Sequence, residues 1–230
     1  MVNHRFIKNL FIVAGCFLFA LLLNSCNSDK QSNSKGEGLI EFDTKGVDPT
    51  HPLYGFAPSS ATFKFKQDKF IIEMSTMGMF NTSVILDSKA KTIAQTVKFL
   101  DIKQACIENE QDLAAENAEY ALKIEETNET KKIIGLKCYK AHVTKINEPN
   151  VKFDVWYTKE LGMENVNALT PYAQLKGILL DYRVKKMGME LHFAAKSYKP
   201  IEIPDNAFEI PASMKIVPKS EMEEFIKNLQ

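Results

Sequence analysis

A general base working near neutral pH is most often a histidine. Beyond His4, the chain has His51, His142 and His192. His51 sits in a proline-rich loop, while His142 and His192 fall on the polar side of alternating segments, where either could meet a carboxylate across a sheet. Solvated strand histidines are the commoner arrangement, so no catalytic residue is expected and the chain reads as a non-enzyme. It has no nucleophile elbow, HExxH, P-loop or dinucleotide-binding glycine pattern. It also lacks CxxC and any Cys/His spacing suited to zinc, so neither metal nor other cofactor is expected. Two methionine clusters, Met74–Met77–Met79 and Met187–Met189, lie next to strands. Thioethers select Cu(I), but they also make adaptable apolar linings, and a lining is the expectation here. Arg183, the only arginine besides Arg5, lies between Tyr182 and Val184. It is a candidate headgroup contact at a cavity mouth, with a surface ion pair to Asp181 or Glu190 as the alternative.

These side chains are carried by a chain of 230 residues, 45% of them hydrophobic, with 29 basic and 29 acidic residues. Such a composition is globular, and zero net charge without a basic tract excludes nucleic acid as the expected partner. The N-terminus is a processing signal. Arg5 and Lys8 precede an uncharged run from Leu10 to Leu23, shorter than the ~20 residues a membrane-spanning helix needs.

That run ends in Leu23-Asn24-Ser25-Cys26, which resembles the lipobox of bacterial lipoproteins. The resemblance implies cleavage after residue 25, acylation of Cys26 and lipid anchoring in the cell envelope. Each buried acyl methylene contributes ~0.8 kcal/mol, so two or three chains hold a protein on the membrane. Asn27 in place of Asp implies, by likeness to enteric sorting, the outer membrane. The alternative is a secreted protein in which Cys26 is incidental. Residues 26–36 read as the acylated Cys and a flexible polar tether. With Cys16 removed and Cys26 acylated, Cys106 and Cys138 remain, either as a disulfide or as two separate buried thiols.

Positioning falls to short runs of period-two alternation bounded by turn residues. They are Gly38–Thr44, Ala61–Lys66, Lys69–Thr76, Ser83–Leu86, Thr92–Phe99, Ile102–Glu108, Lys137–Thr144, Val151–Thr158, Gly177–Lys185 and Met189–Lys196. Asn167–Lys176 reads as one short helix. At the C-terminus (residues 218–230), Ser220 and Glu223 suggest a capping box ahead of an apolar stripe of Met222, Phe225, Ile226 and Leu229. Acid-rich Glu108–Glu129 reads as a solvated loop and Lys-rich Lys131–Lys152 as an exposed strand face. The fold class is mainly β: residues 37–217 form a single large curved antiparallel sheet, one face wet, with a C-terminal helix and one short additional helix.

Several segments together resemble a family of bacterial envelope lipoproteins allied to the LolA/LolB lipoprotein-carrier fold. They are the lipobox and tether, the Phe-rich hairpin, KIIGLKCYKA (132–141), VWYTK (155–159) and IPDNAFEIP (203–211). The resemblance implies an incomplete β-barrel whose concave side accepts acyl chains. The expected function is a membrane-anchored lipoprotein that binds a lipid, acyl chain or other apolar ligand without catalysis. Candidate lining residues are Phe63, Phe65, Phe70, Ile72, Met74, Tyr139, Val143, Phe153, Val155, Tyr157, Leu180, Tyr182, Leu191 and Phe193. The alternative is a structural lipoprotein with a filled core that docks an envelope protein partner. An apolar pocket of ~300–1,000 Å³ separates the first from the second.

Overall fold

The computed structural model describes residues 36–229 apart from 77 and 187, so the signal peptide, Cys26 and the tether lie outside the described residues. The alternating runs become one open sheet of 12 strands in the order β12-β6-β5-β4-β3-β2-β1-β11-β10-β9-β8-β7. The strands are β1 (Glu37–Gly46), β2 (Ser60–Lys66), β3 (Lys69–Thr76), β4 (Phe80–Asp87), β5 (Thr92–Phe99), β6 (Ile102–Asn109), β7 (Leu122–Ile133), β8 (Leu136–Lys145), β9 (Lys152–Thr158), β10 (Ile178–Lys186), β11 (Met189–Lys199) and β12 (Lys215–Ile216). The β1–β11 pair joins two meanders, β2–β6 on one side and β7–β10 on the other. The sheet does not close, which agrees with the expected mainly β half-barrel. One pair departs from the antiparallel expectation, since β12 runs parallel to β6.

Two elements lie where a loop is expected. The acid-rich segment holds α1 (Glu110–Glu119) and most of β7. Its helix start is a capping box of another spelling: Asn109 accepts from the N–H groups of Gln111 and Asp112, and Asp112 accepts from that of Asn109. Glu110 and Asp112 in the first turn complement the helix dipole. Conversely, α2 (Lys219–Lys227) is capped by Pro218 with no side-chain bond, so the expected Ser220–Glu223 box does not form. Ser220 already lies inside the helix. The apolar stripe holds, with Met222 and Ile226 buried.

The expected helix at Asn167–Lys176 is absent. Pro171 stands at its centre, where it lacks a donor N–H and clashes with the preceding turn. Successive tight turns replace it, with bonds from Thr170 N to Asn167 O, Ala173 N to Thr170 O and Leu175 N to Tyr172 O. The Asn167 amide fastens the segment by donating to the carbonyls of Leu175 and Gly177 at 2.9 and 2.8 Å. Gly177 has φ +123, and a Cβ there would come within 2.1 Å of the Thr158 carbonyl oxygen. Only glycine lets this segment enter β10.

The sheet is covered on both faces along β3–β5. The inner face carries the main core, into which α1 inserts Leu113 and the turn segment inserts Val166, Leu169, Tyr172 and Leu175. On the opposite face, Ile71, Ile85 and Ala94 pack under Ile203 and Phe208. The IPDNAFEIP stretch is therefore a strap across the outer face. The strap ends in β12, and the chain then runs into α2, whose Met222 and Ile226 join the inner core. The wet outer face expected of the whole sheet is confined to its other arm.

Candidate functional site

The inner face is the place to look for a ligand, and its own side chains fill it. Phe42 meets Tyr182 and Phe193 edge-on at 6.1 and 5.9 Å, and Tyr182 stacks on Phe193 at 5.0 Å. The Tyr172 hydroxyl donates to the Arg183 carbonyl beneath the turn segment. Burial raises the ionisation of Tyr172 and Tyr182 well above the ordinary tyrosine value, which keeps both neutral.

Two apolar cavities remain. One of about 90 Å³ lies between the sheet, α1 and the turn segment, and six of the candidate residues line it: Phe63, Phe70, Ile72, Met74, Tyr182 and Phe193. A second of about 40 Å³ lies under α2, with Met74 and Leu191 in its wall. The other candidates line neither. Phe65 is fully buried and stacks near Tyr198. Val143, Val155, Tyr157 and Leu180 are core, and Tyr139 and Phe153 pack against that core partly buried. The larger cavity has the volume of about three waters. It falls well short of the ~300 Å³ at which small-molecule sites begin.

The polar candidates are dispersed. The Arg183 guanidinium lies over the Phe153 ring at 4.9 Å, and neither carboxylate expected as its partner takes it. Asp181 pairs with His192 at 2.8 Å, and Glu190 binds Lys145 at 2.7 Å and the Tyr120 hydroxyl at 2.9 Å. Burial works against the Lys145 charge, yet Glu190 and Glu148 overcome it and raise its pKa. His142 meets Asp154 at 2.7 Å, so both strand histidines find a carboxylate on the neighbouring strand. His51 accepts from the Leu53 N–H in its loop. Among the described residues no group of three or more His, Cys, Asp and Glu is arranged to hold a metal. Of the methionines, Met74 and Met189 are buried and Met79 is exposed, while Met77 and Met187 lie outside the described residues.

Cys106 and Cys138 are both free and buried, so the disulfide alternative is not realised. They belong to β6 and β8, near opposite edges of the strand order. Burial, helped by the Glu108 charge, pushes the Cys106 thiol up to about 11, and burial also raises Cys138. Neither is a reactive thiolate at neutral pH.

Sequence reasoning missed Glu108. It is completely buried, accepts from the Gln95 amide and forms an ion pair with Lys219 at the start of α2. The signal was available in period two, because Glu108 falls on the same face of β6 as Cys106. Its partner Lys219, with Gln95, Cys106 and Glu116 among others, lines an open cleft of about 550 Å³ between β5–β6, α1 and α2.

The described segment from residue 62 to 183 matches the family model for the N-glycanase peptide, N-terminal domain. The chain belongs to that family. Among solved structures it is similar to PNGF-II in space group C2, with 16% identity and a TM-score of 0.53 over 83% of this chain. This chain spans only 32% of PNGF-II, and at that identity the likeness concerns the fold alone. The LolA superfamily protein NE2245 from Nitrosomonas europaea also matches, at 13% identity, over 79% of this chain and 94% of that one. Its TM-score of 0.29 is too low to argue fold or cargo. No curated protein matches the sequence.

Proposed function

We propose that this chain is a membrane-tethered, non-catalytic interaction module of the cell envelope. It would be anchored through acylated Cys26 and would dock an envelope protein partner. The observation that supports this reading is an inner face largely filled by its own side chains, whose two apolar cavities are about 90 and 40 Å³. A face filled largely by the protein's own side chains would serve as a scaffold and leave recognition to the outer surface and strand edges. The family description directs attention to a glycan-processing enzyme as the partner. No described helix is long and apolar enough to cross a membrane.

An acyl-ligand reading is favoured by one feature: α1 roofs the larger cavity and buries only Leu113 of its ten residues. Such a helix is the piece to lift if the cavity opens. Titration of residues 27–230 with a fluorescent fatty acid tests both readings. No saturable signal from well-folded protein is the expected result. Saturable binding competed by phospholipid would overturn the closed-scaffold reading and restore the ligand.

A further inference from the structure

The β7–β8 hairpin closes through a two-residue turn, Ile134-Gly135, between the paired residues Ile133 and Leu136. Both turn residues have positive φ, +47 for Ile134 and +85 for Gly135. Turns of this kind ask for Asn or Asp followed by Gly. A β-branched residue in the left-handed region is a genuine outlier, unlike Gln67, Lys91 and Leu100, which also adopt positive φ. The apolar tip of Ile133, Ile134 and Leu136 packs half-buried against the edge of the main core, leaving part of its surface open, and exposed Lys131, Lys132, Lys137 and Lys159 surround it. Lys137 and Lys159 lie 5.2 and 5.0 Å from the centre of the Tyr139 ring, and Lys131 lies 4.0 Å over Trp156. The nearby Glu160 carboxylate is engaged by the Lys137 backbone N–H at 2.9 Å.

This tip lies at the end of the sheet where the described chain begins. A Cβ on Gly36 would be 3.8 Å from the Leu161 carbonyl, two residues beyond Lys159. Cys26 precedes Gly36 by ten residues, a reach of at most about 35 Å. We infer that the β7–β8 tip is a membrane-docking face: Ile134 and its neighbours enter the headgroup layer while the four lysines bind anionic phospholipid. The orientation rests on the reading of Cys26 as the anchor. Docking would hold the opposite end of the sheet outward toward a partner.

The test uses residues 27–230, which contain every strand and helix described, so the acyl group contributes nothing to the result. Co-sedimentation with phosphatidylglycerol vesicles is expected, weakening with salt, and with it a shift in the emission of Trp156, the chain's single tryptophan. Phosphatidylcholine vesicles are expected to bind little. Each lysine near an anionic surface contributes roughly a fivefold factor, so Lys132→Glu with Lys137→Glu should weaken binding by at least about thirtyfold. Ile134→Asn separates function from packing. It relieves the turn and should raise the denaturation midpoint while lowering vesicle affinity. Equal binding to both vesicle types, no binding to either, or an Ile134→Asn protein that is less stable and binds as before would each overturn the proposal. Failure of the anchor itself would appear separately, as a mature chain whose mass carries no acyl group.

Discussion

The two arms of the sheet solve burial differently. In the first arm, β4 and β5 each bury five consecutive residues, because the inner core lies on one side and the strap on the other. In the second arm, the edge strand β7 buries one residue of its 12, Ile124. Its outward-facing partners are charged: Lys140 reaches Glu129 and Asp154, and His142 reaches Asp154. A strand covered on both faces loses alternation, while an exposed edge stays solvated and uses charge to discourage pairing with another chain. The same polypeptide thus carries a sealed arm that sets stability and a wet arm free to meet a surface.

Substitutions that uncover the sealed arm should have the largest effects. Phe208→Ala removes the aromatic centre of the strap and should cost about 3–5 kcal/mol in urea unfolding. The matching change in the wet arm, Phe153→Ala, takes away a half-buried ring and should cost about 1–2 kcal/mol. Similar losses would erase the distinction between the arms.

Next comes the ion pair that pins α2. Lys219→Met leaves the Glu108 carboxylate buried without its cation, which should cost about 3 kcal/mol, the low end because Lys219 is partly solvated. Glu108→Gln in the same background should recover most of that loss. In the wet arm, Lys140→Met should leave the urea midpoint nearly unchanged, because its partners Glu129 and Asp154 stay solvated.

Thiol chemistry gives a sharper, non-energetic contrast. Both cysteines should resist alkylation in the native protein and react fully in denaturant, with no mass difference between reduced and unreduced samples. A 2 Da loss in the unreduced protein would reveal a disulfide that the free thiols exclude.

The smallest expected effect is acid sensitivity at the β4–β5 turn. The Ala90 N–H holds the Asp87 pKa below its ordinary 3.8, aided by Lys69 and the Lys89 N–H against the opposing effect of burial. A depressed folded pKa stabilises above the unfolded value and is lost as pH falls through the folded one. Asp87→Asn should therefore flatten the stability curve below about pH 4 by less than ~1 kcal/mol, measured by urea midpoints at stepped pH.

Much of the sheet was legible because alternation is a local property. The Phe63–Phe65 and Phe70–Met74 hairpin, the β10–β11 hairpin and the Met222–Ile226 stripe appear where period two or helical spacing places them. The candidate list found the inner face but could not show that it was closed. The residues that close it, Leu113 and Tyr172, come from segments read as an acidic loop and as a helix. Asn109–Asp112 caps a helix and Ser220–Glu223 does not, although both spacings fit, because a cap depends on where the preceding chain turns.

By itself, then, the amino-acid order determined most of the strands, the turns between neighbouring strands and the inward-facing residues. Those depend on contacts a few residues apart. Only the tertiary structure decided that Glu108 would be buried by Lys219, that Ile203 and Phe208 would cover the outer face, and that the inner cavity would shrink to about 90 Å³. Each is a contact between segments far apart in the chain, and its energy depends on both partners arriving together, which no local pattern records.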